Sequence, residues 1–171
     1  IFLKNNVQFN EELATFVGDE GALMFIDHKY GPNSEHYKRT KLIKKDYEIF
    51  LEYLRMLYRE LQKVYDSNLT KTEKLNSKDS IIGEYKLRFK NDYDSLFHTD
   101  NFKNFPEINI NNAYLISLMT YTMDLKIFYE LYEKNNFSLP KTVSQLIAID
   151  KKEKEPKNFI NKTLLKKNIE K

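Results

Sequence analysis

The chain has 171 residues, of which 28 are basic, 25 are acidic and none is cysteine. This balance predicts a mixed, solvated surface and argues against the basic footprint of a specific nucleic-acid-binding protein. The lack of cysteine excludes disulfides and thiolate metal sites. No apolar run approaches the roughly 20 residues that span a bilayer, so we expect no transmembrane segment.

The first predicted helix has two different faces. Asn10 is a suitable N-cap, and the pair Gly31-Pro32 ends the helical pattern after about Lys29. One face is apolar and typical of a core contact, and it carries Leu13, Phe16, Val17 and Met24. The opposite face is a small-residue stripe that consists of Glu11, Ala14, Thr15, Gly18 and Ala22. A second helix could approach this stripe closely and bury Glu11, and a buried carboxylate needs a cation or a metal ion beside it.

Two long helices are predicted next. The first begins at the cap Ser34, and its apolar positions recur at steps of four and three, which indicates packing along a partner helix at a small angle. These positions are Ile43, Tyr47, Leu51, Leu54, Tyr58, Leu61 and Tyr65. The second helix runs from about Asp79 to His98, after a polar loop placed within residues 66–80. Together they predict a long antiparallel hairpin, whose tyrosines we assign to core packing rather than to a substrate-binding wall.

The remainder of the chain predicts buried helices and a charged end. Asn111 or Asn112 caps a helix that is apolar around most of its circumference and continues to Asn135. A short amphipathic helix then begins at Leu139.

The predicted fold is therefore all-α. It consists of one helical domain over residues 1–150, built from the long antiparallel hairpin and the buried helices, and a mostly disordered basic tail over residues 151–171. Within the tail, Phe159, Ile160 and Leu164 indicate a weak amphipathic turn.

Two short motifs carry a family resemblance. Asn10-Glu11-x-x-Ala14 at the start of a helix resembles the Asn-Glu-x-x-Ala element of gluzincin metallopeptidases, in which that Glu is the third protein ligand of a catalytic zinc ion. Phe9 to Val17, together with Asn111-Asn112-Ala113-x-Leu115 and Thr120-Tyr121, is similar to a bacterial family of predicted zinc aminopeptidases. The resemblance implies a zinc cofactor and a peptide substrate, and it is compatible with a location in the bacterial cell envelope.

The resemblance also implies roles for individual residues. Glu11 would be a zinc ligand, and Thr15, one turn later, would hydrogen-bond a ligand side chain. Asn112 and Tyr121 belong to the second motif, and a tyrosine there could donate a hydrogen bond to the tetrahedral oxyanion. Simpler alternatives stay open, because Glu11 and Glu12 could serve only the helix dipole, Asn112 could be only a cap and Tyr121 only core. Glu12 lies off the small-residue stripe and is the weaker metal candidate.

One family feature is missing from this sequence. Gluzincins bind zinc through a His-Glu-x-x-His helix, and the histidines here, His28, His36 and His98, are not spaced four apart. We expect this chain to be the C-terminal portion of a longer protein whose upstream segment carries that motif. Alone, it is expected to be inactive. We expect His28 to be a surface residue and His98 to lie at the C-terminal end of its helix, where a protonated imidazole suits the helix dipole.

Two other functions fit the sequence. A non-catalytic helical module could bind another protein through the hairpin, which predicts an exposed apolar seam and no metal affinity. The basic tail could instead bind anionic surfaces or nucleic acid weakly, with a strong dependence on salt.

Overall fold

A computed structural model describes residues 2–149 and 153–166. All regular secondary structure in these ranges is helical, which confirms the predicted all-α class. The chain clusters into two compact units, a first unit of residues 1–29 and 118–171 and a second unit of residues 30–117. The predicted domain boundary at residue 150 falls outside the described residues. No helix in the described ranges is both long enough and apolar enough to cross a membrane.

Helix α1 covers Val7–Tyr30 and begins before its predicted N-cap. Asn10 lies inside the helix, and its side chain forms two hydrogen bonds with the backbone of Leu3. Its Nδ2 donates to the Leu3 carbonyl at 2.8 Å, and its Oδ1 accepts from the Leu3 amide at 2.9 Å. The cap prediction was wrong because this side chain pairs with the preceding segment rather than with helix amides. The end of α1 is as predicted, and Gly31 follows it with a φ of 86° that glycine adopts without strain.

The second unit contains the predicted antiparallel hairpin. Helix α2, Glu35–Asp66, begins at the Ser34 cap, and helix α3, Lys71–Leu96, begins well before the predicted Asp79. The loop prediction was wrong because a capping box at Thr70 and Glu73 starts the helix within the polar stretch. The apolar seam is buried between the two helices and is lined by Phe50, Leu51, Leu54, Leu57, Leu61, Ile82, Tyr85, Phe89 and Tyr93. Of the predicted seam, three positions are buried and four are partly exposed; the buried ones are Leu51, Leu54 and Leu61, and the partly exposed ones are Ile43, Tyr47, Tyr58 and Tyr65.

A buried carboxylate fixes the chain where it leaves α3. Asp46 is fully buried on α2 and accepts hydrogen bonds from the backbone amides of His98 and Thr99, from the Thr99 hydroxyl and from the His98 ring. Burial raises the pKa of Asp46, but the hydrogen bonds from Thr99 and His98 outweigh it and hold the pKa below its ordinary value. His98 thus follows α3 and pairs with Asp46, in addition to lying near the helix end as predicted.

The helices that follow the hairpin begin with α4, whose residues 112–117 belong to the second unit, and continue in the first unit. The single long helix predicted from Asn112 is two helices, α4 at Asn112–Thr122 and α5 at Lys126–Lys134, and this part of the prediction was wrong. Helix α6 covers Leu139–Ile147, as the sequence indicates. The most buried portion is α5, while α4 leaves Ile116 and Tyr121 largely exposed. The core of this unit contains Leu3, Phe9, Leu13, Phe16, Leu125, Ile127, Phe128, Leu131, Tyr132, Leu139, Leu146, Ile149 and Ile160.

The described part of the predicted tail is folded. Residues 153–166 contain helix α7, Pro156–Phe159, and a π-helical turn, Ile160–Leu164. Ile160 is fully buried in the core of the first unit. This is the amphipathic turn that the sequence indicates around Phe159, Ile160 and Leu164: charge dominates the composition of the segment, but its few apolar residues face one core. The prediction for residues 150–152 and 167–171 lies outside the described residues.

Glu12 joins three segments of the first unit. Its carboxylate is fully buried: Oε1 accepts from Gln8 Nε2 and from the backbone amide of Asp124, and Oε2 lies 2.6 Å from Lys157 Nζ. Lys157 also contacts the carboxylate and the carbonyl of Asp124 at 3.2 Å. Asp124 lies in the break between α4 and α5, so Glu12 binds an amide that a continuous helix would have kept within itself.

Replacing Asp46 by asparagine should destabilise the protein by about 2–4 kcal/mol at pH 7, because one amide cannot accept the same set of hydrogen bonds. The pKa of Asp46 is lowered on folding, so its contribution is complete above the unfolded pKa near 3.9 and is lost as the pH falls through the folded pKa. Urea unfolding at pH 7 and at pH 3 should show the difference between wild type and Asp46→Asn shrink at the lower pH. Asp79→Asn, at an exposed position of α3, is the matched control. An equal difference at both pH values would contradict the ionic role.

Replacing Lys157 by methionine should cost about 3 kcal/mol, because Glu12 would stay buried without its cation. Lys126→Met, which removes an exposed lysine of α5, should change the free energy of unfolding by less than about 0.5 kcal/mol. Urea unfolding measures both changes. A Lys157 variant as stable as the Lys126 variant would contradict the pairing of Lys157 with the buried carboxylate of Glu12.

Candidate functional site

The small-residue stripe of α1 is open to solvent over the described residues. Ala14, Gly18 and Ala22 are exposed, and a Cβ atom added to Gly18 would meet nothing within 4 Å. Glu11 and Thr15 are partly exposed, so the expected burial of Glu11 under a second helix does not occur here. No described residue forms a hydrogen bond or ion pair with the side chain of Glu11 or of Thr15.

The two adjacent acids of α1 therefore differ in what they can do. Glu12 points into the core, and its two oxygens are occupied by Gln8, Asp124 and Lys157. Glu11, about 100° further round the helix, presents a carboxylate whose oxygens are available. Of the pair, only Glu11 could bind a ligand without dismantling the fold.

The described residues supply one candidate zinc ligand and not a complete zinc site. A catalytic zinc site needs three protein ligands, and nowhere in residues 2–149 and 153–166 do three His, Asp or Glu side chains come together in a way that could bind a metal. His28 is exposed at the end of α1. The ring of His36 lies 4.4 Å from that of Tyr30, and His98 pairs with Asp46.

The residues of the second motif lie in different units. Tyr121, in the first unit, is 45% exposed, so it is not a core residue. Asn111 is the residue that caps α4, because its Oδ1 accepts from the Tyr114 amide at 2.9 Å. Asn112 instead accepts a hydrogen bond from the Tyr65 hydroxyl at 2.9 Å.

Asn112 also lines a cavity of the second unit, which we call the α2–α4 cavity. Its volume is about 250 Å³, and its walls come from the last turns of α2 and the first turns of α4. The lining residues are Tyr58, Leu61, Gln62, Tyr65, Asp66, Asn112, Leu115 and Ile116. The motif and the apolar spacing predicted a role for Asn112, Tyr58 and Tyr65, but not for Gln62 or Asp66. Only the spacing of Tyr58, Gln62 and Tyr65 on one helix face could have suggested them.

Comparison with known proteins gives one match. The model of the family described as "Putative aminopeptidase" matches residues 1–160. No curated protein and no solved structure was found to match the chain. Because the family match covers almost the whole sequence, the chain belongs to this aminopeptidase family.

Proposed function

We propose that the chain is part of a zinc-dependent peptidase, aminopeptidase-like in specificity, and that Glu11 is one protein ligand of its catalytic zinc ion. The family match supports a peptidase role with a peptide substrate. The observation that carries the assignment of Glu11 is its unengaged, partly exposed carboxylate beside the fully engaged Glu12. Carboxylate oxygen is an established zinc ligand.

The other two zinc ligands would be histidines of a His-Glu-x-x-His segment outside this sequence. The small side chains of Ala14 and Gly18 leave room for a helix against α1, which would bring its histidines close to Glu11. Thr15, one turn after Glu11, would hydrogen-bond a ligand side chain and orient it. The same approach would bury Glu11 beside a metal cation and meet the requirement for charge compensation.

Tyr121 is proposed as a hydrogen-bond donor to the reacting carbonyl oxygen. Its exposure leaves the hydroxyl accessible, and no described residue bonds it. Asn112 has a weaker claim to catalysis, since the hydrogen bond to Tyr65 gives it a structural role in the α2–α4 cavity.

The alternative functions gain less support. A helical interaction module would expose the hairpin seam, whereas Leu51, Leu54 and Leu61 of that seam are buried and its other positions are only partly exposed. Binding through the basic tail would have to rely on its other lysines, because Lys157 is held by Glu12 and Asp124.

Glu11→Gln, made in the protein that includes the segment encoded upstream of Ile1, should lower the zinc content and the peptidase activity by at least tenfold, because the amide is a poor zinc ligand. Metal analysis of the purified protein is the first measurement. The control is Glu48→Gln, which removes an exposed glutamate of α2. In the chain itself, Glu11→Gln should leave the free energy of unfolding within about 0.5 kcal/mol of wild type. Unchanged zinc content would remove Glu11 from the site.

The chain alone should not hydrolyse peptides, since it lacks two zinc ligands and the general base. Fluorogenic substrates with a free amino terminus, assayed with and without a chelator, test this expectation. Activity of this chain that a chelator abolishes would refute it. The gene sequence upstream of Ile1 provides a second test, because an open reading frame without His-Glu-x-x-His would leave Glu11 without metal partners.

A further inference from the structure

We infer that the α2–α4 cavity binds an alkylammonium group, that is, a primary ammonium carried on a short aliphatic stem. This inference does not rest on the proposed zinc site, since all residues of the cavity belong to the second unit and none is a proposed zinc ligand.

The size of the cavity fits a single extended side chain. A volume of about 250 Å³ lies below the range of about 300–1,000 Å³ that is usual for pockets with drug-sized ligands. Leu61 and Leu115 form a floor and are each 2% exposed. Ile116, on α4, is more than half exposed and adds apolar surface to the lining. These side chains suit methylene groups rather than a second polar group.

The charge of the cavity is negative. Asp66 is the only charged side chain of the lining, and within the described ranges its carboxylate has neither a hydrogen bond nor an ion pair. It is also the last residue of α2, a helix of 32 residues, and the C-terminal end of a long helix carries about half a negative charge. Both contributions favour a cation.

An ammonium group already binds this helix end. Lys74 Nζ donates to the backbone carbonyl of Tyr65 at 2.6 Å, so the C-terminal carbonyls of α2 attract a lysine of the same chain. Lys74 offsets part of the charge of this helix end, but it does not line the cavity and forms no ion pair with Asp66, so the Asp66 carboxylate stays available. An anion would have fewer hydrogen-bond donors here, because the Tyr114 amide at the start of α4 already donates to Asn111 Oδ1.

The polar rim adds acceptors and aromatic surface. Asn112 Oδ1 accepts from Tyr65 Oη and retains a second lone pair. Tyr58 Oη accepts from Gln62 Nε2 at 3.1 Å, which orients this tyrosine across the rim. The two tyrosine rings also provide π-electron faces that attract cations. The arrangement therefore places Asp66 to pair with the ammonium while the stem contacts Leu61 and Leu115.

Two kinds of molecule carry this group, a lysine side chain in a peptide and a free aliphatic amine. NMR titration of the full chain with N-acetyl-lysine methylamide and with n-pentylamine distinguishes them. We expect amide shifts that saturate and concentrate on residues 58–66 and 112–116. Tighter binding of the lysine derivative would assign the cavity to peptides, and tighter binding of pentylamine would assign it to free amines. Either result supports the inference.

N-acetyl-norleucine methylamide has nearly the same stem without the charge, and N-acetyl-glutamate methylamide reverses the charge. The norleucine derivative should bind at least two- to fivefold more weakly than the lysine derivative, and the glutamate derivative more weakly still. Equal binding of the norleucine derivative would show that the cavity selects apolar stems alone and would overturn the inference. Preferential binding of the glutamate derivative would overturn it as well.

Asp66→Asn keeps the shape of the cavity and should weaken binding of the lysine derivative about two- to fivefold, as expected for a solvent-exposed ion pair. Asp94→Asn removes the same charge at an exposed position near the C-terminal end of α3 and should leave binding unchanged. Tyr65→Phe breaks the bond to Asn112 and should weaken binding without altering its dependence on salt. Equal losses in Asp66→Asn and Asp94→Asn would reduce the effect to overall charge and contradict a built site.

Discussion

The first unit depends on the buried carboxylate of Glu12. A carboxylate in a core is costly unless it is paired and hydrogen-bonded, and Glu12 meets both conditions with groups from distant parts of the sequence. Glu12 accepts a hydrogen bond from the backbone amide of Asp124, which is 112 residues later in the chain, and it pairs with Lys157, which is later still. A single side chain of α1 therefore holds the break between α4 and α5 and the segment around α7. Without this carboxylate, the amide at the break and the ammonium of Lys157 would both lack their buried partner.

The second unit uses the same device at a different place. Asp46 on α2 accepts hydrogen bonds from two successive amides, those of His98 and Thr99, after the end of α3. A chain that leaves a helix exposes backbone donors, and a loop packed on a core must find acceptors for them. In both units a carboxylate on a long helix provides these acceptors. The helices form the scaffold, and buried acids determine where the intervening segments are fixed.

The helices that depend on the spacing of apolar residues were predicted from the sequence, whereas the breaks that depend on the buried carboxylates were not. Spacing of apolar residues identified α2, α6 and the hairpin, because helix amphipathicity is a local property. The split at Asp124 could not be predicted, since the apolar pattern continues across it and the reason for the break lies on α1. The early start of α3 was different, because the Thr70 and Glu73 capping box was visible in the sequence. For the candidate site, the pattern separated Glu11 from Glu12 but could not show which was buried. The α2–α4 cavity was beyond prediction, because Asp66 and Asn112 meet only through the folded chain.

The pairing of Glu11 and Glu12 also bears on how the family motif should be understood. The two residues are neighbours with the same chemistry, yet one stabilises the fold and the other is free to bind a ligand. A loss of activity after a change at Glu12 would follow from loss of the folded first unit, whereas the same loss at Glu11 would point to the site itself. Stability separates these two causes, because only the structural acid contributes to it, whereas metal content would fall with the loss of either residue. The position of a residue within a motif is therefore not sufficient to assign its role. In this chain, the contacts of its two carboxylate oxygens provide the distinction.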